Sequence, residues 1–249
     1  MAHRDFVTAW GLMKKRTLVA AALFSGLVAT YIGVIRPRQM RWGATPEEAA
    51  RTLPYDDLVP NPAWNSTRVV TVEATPEQIW PWLVQVGWGR AGYYGYDWID
   101  NGGKPSAWEI MPEHQHLVVG TKFPMSPWTA MYCRDFEEPR WMLLRMGNDD
   151  RTGDIGSFLY CLEPIDDRNT RLIIRMRDKY RWFNPPILAM QLAVDVGDIF
   201  FQWKHLLGVK ARAERMATRQ TTPASLREKR ARDDPVAQGA ASARGDNSG

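Results

Sequence analysis

Cysteine is scarce in this sequence. Cys133 and Cys161 are the only two in 249 residues, too few for a disulfide scaffold or a four-cysteine zinc site. The chain has no HExxH helix motif and no G-x-S-x-G nucleophile elbow, which removes the simplest signatures of a metalloprotease and an α/β-hydrolase. Nor does one sign of charge dominate, with 32 Lys and Arg against 28 Asp and Glu. The small basic surplus lies outside the centre. Residues 55–217 carry 18 basic and 21 acidic side chains, and the flanks carry 14 and 7. A nucleic-acid reader places its positive footprint on the folded domain, so nucleic acid is not an expected partner. Basic flanks beside an apolar segment point instead to anionic lipid headgroups. A composition of 45% hydrophobic and 24% charged residues excludes a wholly disordered chain, a collagen-like fibre and a multi-span membrane protein.

One long apolar run is present. Thr17 to Ile35 is 19 residues without a charge, and a helix of that length nearly matches a bilayer core of ~30 Å. Lys14, Lys15 and Arg16 precede it, and Arg36, Arg38 and Arg41 follow it. Tyr31 and Trp42 fall near one interface. These flanks predict a single-pass transmembrane helix over 17–35, after a basic tail over 1–16. The competing readings are a cleaved signal peptide, which lacks a clear A-x-A site here, and a buried core helix, which the dense flanking charge opposes. Four basic residues stand on each side, Arg4, Lys14, Lys15 and Arg16 against Arg36, Arg38, Arg41 and Arg51. The side of the membrane facing the domain therefore stays open.

Residues 36–66 hold Pro37, Pro46, Pro54, Pro60 and Pro62 and read as an extended connector, with a helix start at Thr45-Pro46-Glu47-Glu48. A folded domain is expected over 67–217. Arg68–Glu73 is β-branched and predicts a strand. Thr75-Pro76-Glu77-Gln78 predicts a capped helix, shortened or kinked by Pro81. Strands are expected near Lys122–Met125, Thr129–Phe136, Trp141–Met146, Ile155–Ile165 and Thr170–Tyr180, joined by tight turns into an antiparallel meander. In the last of these, Leu172, Ile174 and Met176 alternate with Arg171, Arg175 and Arg177, which predicts one apolar face and one wet face. Leu188, Leu192, Val196, Ile199, Trp203 and Leu206 then recur at helical spacing, so a long helix is expected from about Pro186 to Met216. The tail from 218 to 249 has almost no large apolar residue and is expected to be disordered.

Candidate site residues come from three places. Trp80, Trp82, Trp88, Tyr93, Tyr94, Tyr96 and Trp98 are seven aromatics within nineteen residues. Trp80 or Trp82 suits a core, while Trp88, Tyr93, Tyr94 and Tyr96 suit a cavity mouth or membrane-facing rim, where one end of the ring is apolar and the other wet. Trp98 belongs to the same ligand-binding set, as do Ile199 and Trp203 on the long helix. Gln191, Asp195, Asp198, Gln202 and His205 form a narrow polar stripe at spacings of four and three on that helix. A thin solvent-facing stripe is the plain reading. In the sharper one, Asp195 or Asp198 faces a cavity, needs a partner such as Arg145 or Arg175, and could act as a general acid or base. The third place is Gly87-Trp88-Gly89-Arg90-Ala91-Gly92, which matches G-x-G-x-x-G by letter but follows a helix and leads into a loop, the wrong context for a dinucleotide. His114 and His116 with Glu109 and Glu113 lack the ligand set of a zinc site, so no metal and no cofactor are expected. Cys133 and Cys161 read as small buried strand residues whose pairing stays open.

Val72-Glu73-Ala74-Thr75-Pro76-Glu77-Gln78-Ile79-Trp80-Pro81-Trp82-Leu83-Val84-Gln85-Val86-Gly87 resembles the opening of bacterial proteins of the START-like superfamily, also called SRPBCC or polyketide cyclase/dehydrase-like. Gly89-Arg90-Ala91-Gly92-Tyr93-Tyr94 with Tyr96-Asp97-Trp98, and Leu206-Leu207-Gly208-Val209-Lys210-Ala211-Arg212-Ala213-Glu214, are similar to later segments of those proteins. The resemblance spans roughly residues 41–216, with Val119-Gly120-Thr121 departing from the Gly-Asp expected there. It implies an α+β helix-grip fold, an antiparallel sheet wrapped around a long C-terminal helix, here preceded by one transmembrane helix. It implies a cavity for lipids or other apolar small molecules and supplies no shared catalytic residue. The expected function is a membrane-anchored domain that binds such a molecule. The alternatives are an acid–base enzyme on a polyketide- or lipid-like substrate and a protein-interaction platform whose cavity has collapsed.

Overall fold

The computed structural model describes residues 2–146, 156–179 and 184–221, with side chains from Arg16 onward except those of Leu188, Leu192 and Val196. The tail beyond Thr221 lies outside the described residues. Helix α1 (Ala2–Thr30) passes through a π-helical turn at Tyr31–Ile35 into α2 (Arg36–Gln39). Within it, Arg16–Gln39 is long and apolar enough to cross a membrane, and its apolar 18-residue stretch is not buried in the protein.

Six strands follow the expected order: β1 (Trp64–Val72), β2 (Lys122–Pro124), β3 (Ala130–Glu137), β4 (Trp141–Met146), β5 (Gly156–Pro164) and β6 (Thr170–Asp178). They form one antiparallel sheet in the order β1-β6-β5-β4-β3-β2. Short connections join β2 to β3, β3 to β4 and β5 to β6, and β1 closes the far edge by pairing with β6, Trp64 opposite Asp178 and Val72 opposite Thr170. Between β1 and β2 lie α4 (Pro76–Val84) and the short α5 (Asp97–Asp100). Thr75 and Gln78 close the capping box of α4, with the Thr75 N–H donating to Gln78 Oε1 at 3.0 Å. The long helix α6 runs from Pro185 to Thr221, so Thr218–Thr221 belong to it and not to the tail.

The sheet and α6 make the helix-grip arrangement of an α+β domain. Leu206, Val209 and Ala213 of α6 share one core with Trp80, Trp82 and Leu83 of α4 and with the inner-facing Leu144, Tyr160, Leu172 and Ile174. Gly208 permits the close approach. A β-carbon there would stand 2.1 Å from the Tyr94 carbonyl oxygen, and Tyr94 itself adopts φ +60°.

The outer face is not wet. Pro46–Ala50 forms a helix, α3, and Asp56–Leu58 a 3-10 turn. This stretch lies across the sheet, where Leu53, Val69, Leu143, Leu159, Cys161 and Ile173 make a second apolar cluster. The arginines of β6 expected in water are instead covered. Arg171 pairs with Glu48 at 2.7 Å. Arg175 pairs with Asp56 at 2.7 Å and donates to the carbonyls of Glu48, Ala49 and Arg51. Arg177 donates to the Val59 carbonyl. Residues 43–59 are thus a layer of the domain, and the connector reading is corrected. Its proline content concealed a segment whose acidic groups and carbonyls complement Arg171, Arg175 and Arg177 on one face of a strand.

This layer generates a contrast between two ion pairs. The Arg175 side chain is 3% exposed, so Asp56→Ala leaves a buried guanidinium short of its carboxylate. A loss of about 2–4 kcal/mol is expected in denaturant unfolding. Arg51→Ala breaks the exposed pair with Glu163 and is expected to cost about 1 kcal/mol or less.

Candidate functional site

The two halves of α6 differ. Its C-terminal half is packed, whereas in its N-terminal half Met190, Val194, Phe200 and Phe201 are exposed. Between this half and the inner face of the sheet lies a cavity of about 1100 Å³, large enough for a drug-sized or lipid-like molecule. Met131, Met146, Phe158, Tyr160 and Met176 line it from the strands, and Tyr93, Ile99 and Asp100 line it from the segment after α4. The β2–β3 hairpin contributes Met125 and Trp128; α6 contributes Met190, Val194, Gly197, Asp198, Phe201, Gln202 and His205. Trp128 is 88% exposed, so the hairpin holds an indole at the rim.

His205 sits at the packed end. Its Nδ1 lies 2.6 Å from the Tyr93 carbonyl oxygen. A carbonyl only accepts, so Nδ1 carries the proton and Nε2 accepts from the Tyr160 hydroxyl at 2.8 Å. Burial lowers the imidazole pKa to about 4 and raises the Tyr160 phenol well above its ordinary value. Both groups are therefore neutral near pH 7. The Tyr93 hydroxyl donates to the Pro124 carbonyl at 3.0 Å.

Within the stripe on α6, Asp195, Asp198 and His205 are buried, and Gln191 and Gln202 are half-buried. Arg36 Nε donates to Asp195 at 2.8 Å, and Gln39 donates to the Asp195 backbone carbonyl at 3.1 Å. Arg68 pairs with Asp198 and donates to the Gln39 carbonyl at 3.1 Å. Burial raises the Asp198 carboxyl pKa, opposed by the Arg68 guanidinium. Arg145 and Arg175 cannot serve as partners, because strand alternation places them on the outer face, where Arg175 meets Asp56. Asp198 reaches the cavity wall; Asp195 does not.

Of the expected ligand-binding residues, only Tyr93 lines the cavity. Tyr94 belongs to the core, not to a rim. Its hydroxyl donates to the Trp82 carbonyl at 2.9 Å, and its ring lies between His205 and the Arg212 guanidinium. Trp88 is half-buried and covers Gly102, whose β-carbon would stand 2.8 Å from the indole. Tyr96 meets Phe201 edge-on behind the wall, and Trp98 is exposed away from it. Ile199 and Trp203 fall off the wall because, at ~100° per residue, they project from a different helix face than Asp198, Phe201 and Gln202. Most wall residues were missed, among them Tyr160, Met131, Met146, Phe158, Met176, Trp128 and Met125. Ser126-Pro127 marks a turn, but nothing local signals that the turn rims a cavity.

Other candidates resolve simply. Gly87 bridges back to Gly92, so the G-x-G-x-x-G segment is a closed turn and opens no helix. Cys133 and Cys161 are free and buried, on opposite faces of the sheet, with thiol pKa values pushed up to about 11 by burial. Among the described residues, no three His, Cys, Asp or Glu side chains are grouped to hold a metal.

No protein-family model and no curated protein matches the chain. Among solved structures, it is similar to a polyketide-cyclase-like protein of Corynebacterium glutamicum, 14% identical over 59% of this chain and 88% of that one, with a TM-score of 0.34. It is also similar to the protein CalU16 of Micromonospora echinospora, 14% identical over 62% and 86%, TM-score 0.31. A hypothetical protein of Helicobacter pylori is 11% identical over 66% and 96%, TM-score 0.43.

His205 gives the domain a pH signature. The folded state keeps the imidazole neutral down to about pH 4, while the unfolded chain protonates it below its ordinary 6.5. The unfolded state therefore binds more protons across that window, and stability falls as pH falls, by on the order of 3 kcal/mol in all. Melting curves between pH 7 and 4 are expected to show this slope, and His205→Gln to flatten it.

Proposed function

We propose that the protein is a membrane-anchored START-like domain that binds a lipid or other apolar small molecule in the cavity between its sheet and α6. The observation that carries this reading is the cavity together with its rim. Its wall is mostly methionine, aromatic and aliphatic, and its volume of about 1100 Å³ is not filled by side chains. Ile99, Met125, Trp128, Met190, Val194 and Phe201 line it and are also exposed. Single exposed apolar residues are ordinary; a contiguous rim of them around a cavity marks an interaction site.

The same rim supports a bilayer as its neighbour. The apolar helix Arg16–Gln39 ends in Arg36 and Gln39, which bond to Asp195. Val194, next to Asp195, is on the cavity wall. A molecule leaving the membrane would pass directly from acyl chains to this wall. Apolar burial at ~25 cal/mol per Å² then supplies most of the affinity, less the association costs. An unfilled cavity speaks against a collapsed interaction platform. An acid–base enzyme built on the aspartates is disfavoured because both already face arginines.

Gly197 gives a clean test. It lies on the wall, and an added β-carbon would meet nothing within 4 Å. Gly197→Phe should fill the cavity without straining the helix, with stability unchanged or raised by up to ~1 kcal/mol as a helical glycine is removed. Solvent extraction and mass spectrometry of the purified full chain should find a stoichiometric apolar species, reduced at least several-fold in this variant. A wild-type protein that carries nothing and takes up nothing contradicts the proposal.

A further inference from the structure

We infer that the opening of α6, from Pro185 to Val194, lies in the bilayer beside the apolar N-terminal helix, where acyl chains cover it. The inference rests on the membrane-anchored reading above and adds a second element to the anchor.

From Asn184 to Trp203 the only charged residues are Asp195 and Asp198, and each is held by an arginine. Pro185–Val194 carries no charge at all. Among its described side chains none is buried: Ile187 and Gln191 are half-buried, and the others are exposed. A helix that is apolar on every side belongs in a protein core or in a membrane, and the core does not take this one. Its single polar side chain, Gln191, donates to the Lys179 carbonyl at 3.3 Å.

The backbone suits the same setting. A helix begins with N–H groups that have no partner within it, and hydrocarbon supplies none. Pro185 and Pro186 open α6 and have no N–H to leave unmet. The next N–H, that of Ile187, donates to Asn184 Oδ1 at 3.3 Å.

Contacts at Asp195 give the placement. Tyr31 lies inside the apolar window Arg16–Gln39, and its hydroxyl donates to Asp195 Oδ1 at 3.3 Å. Arg36, nearer the domain along the chain, meets the same carboxylate. Asp198, about one turn on, pairs with Arg68 of β1, which also holds the Gln39 carbonyl. From Asp195 to Asp198, α6 therefore follows the N-terminal helix from Tyr31 toward the sheet. Backward from Asp195 it heads the other way, along the apolar run.

Spin labels on single added cysteines test this in the full chain, reconstituted in phosphatidylcholine–phosphatidylglycerol vesicles. Cys133 and Cys161 are buried and stay unlabelled. Leu27→Cys reports on the N-terminal helix, Ala189→Cys on the start of α6 and Asp167→Cys on the turn between β5 and β6. All three positions are exposed, so the label displaces no core side chain. Ala189 is off the cavity wall, which keeps its reading separate from that of the cavity. Oxygen concentrates in hydrocarbon and a nickel chelate stays in water, so the relaxation each causes reports where a label lies. The oxygen-to-nickel ratio at position 189 should come near that at 27 and exceed that at 167 several-fold. A label at 189 that reads like 167, while 27 reads as lipid, overturns the inference and leaves the anchor standing. A label at 189 shielded from both reagents shows a protein surface covering α6 and overturns it as well. A label at 27 that reads as water overturns the anchor and the inference together.

Discussion

Two aspartates on one helix, each held by an arginine from elsewhere in the chain, organise this molecule. Asp195 takes Arg36 from the end of the apolar N-terminal helix; Asp198 takes Arg68 from the first strand. A carboxylate this deeply buried is untenable without such a partner. The two pairs are linked, because Arg68 also holds the Gln39 carbonyl and Gln39 holds that of Asp195. One polar seam thus ties the N-terminal helix, the edge strand and the long helix together.

The seam has a consequence for the cavity. Among the described side chains of the N-terminal half of the long helix, Met190, Val194 and Phe201 are exposed. Arg36 and Arg68 tie that half to the N-terminal helix and to β1. The space left beneath it is the cavity, bounded at its packed end by the neutral His205–Tyr160 pair. The covering layer over residues 43–59 does the complementary task on the outer face. By burying Arg171, Arg175 and Arg177 it leaves the sheet with two dry faces and a rigid floor for the site.

The order of elements was legible because each carries a local signal: the β-branched run Arg68–Glu73, the Thr75–Gln78 capping box, and the alternation of Leu172, Ile174 and Met176. Residues 43–59 were misread because complementarity to arginines more than a hundred positions away leaves no local trace. The aromatic segment misled in a different way. Tyr94 is as amphipathic as Tyr93, and only the fold decides which of two adjacent rings enters the core beside Gly208 and which lines the wall. The polar stripe on the long helix was visible, but its burial depended on Arg36 and Arg68, distant residues that no spacing rule connects to it.

The central claim is that this cavity opens onto a membrane. The most direct measurement places an environment-sensitive fluorophore on the rim, through Trp128→Cys, in the full chain reconstituted in vesicles. Cys133 and Cys161 are buried, so labelling falls on position 128. Nitroxide groups carried on lipid acyl chains are expected to quench the label strongly, while aqueous iodide quenches it weakly. Strong iodide quenching with no effect of the lipid nitroxides would show the rim standing in water and would contradict the account.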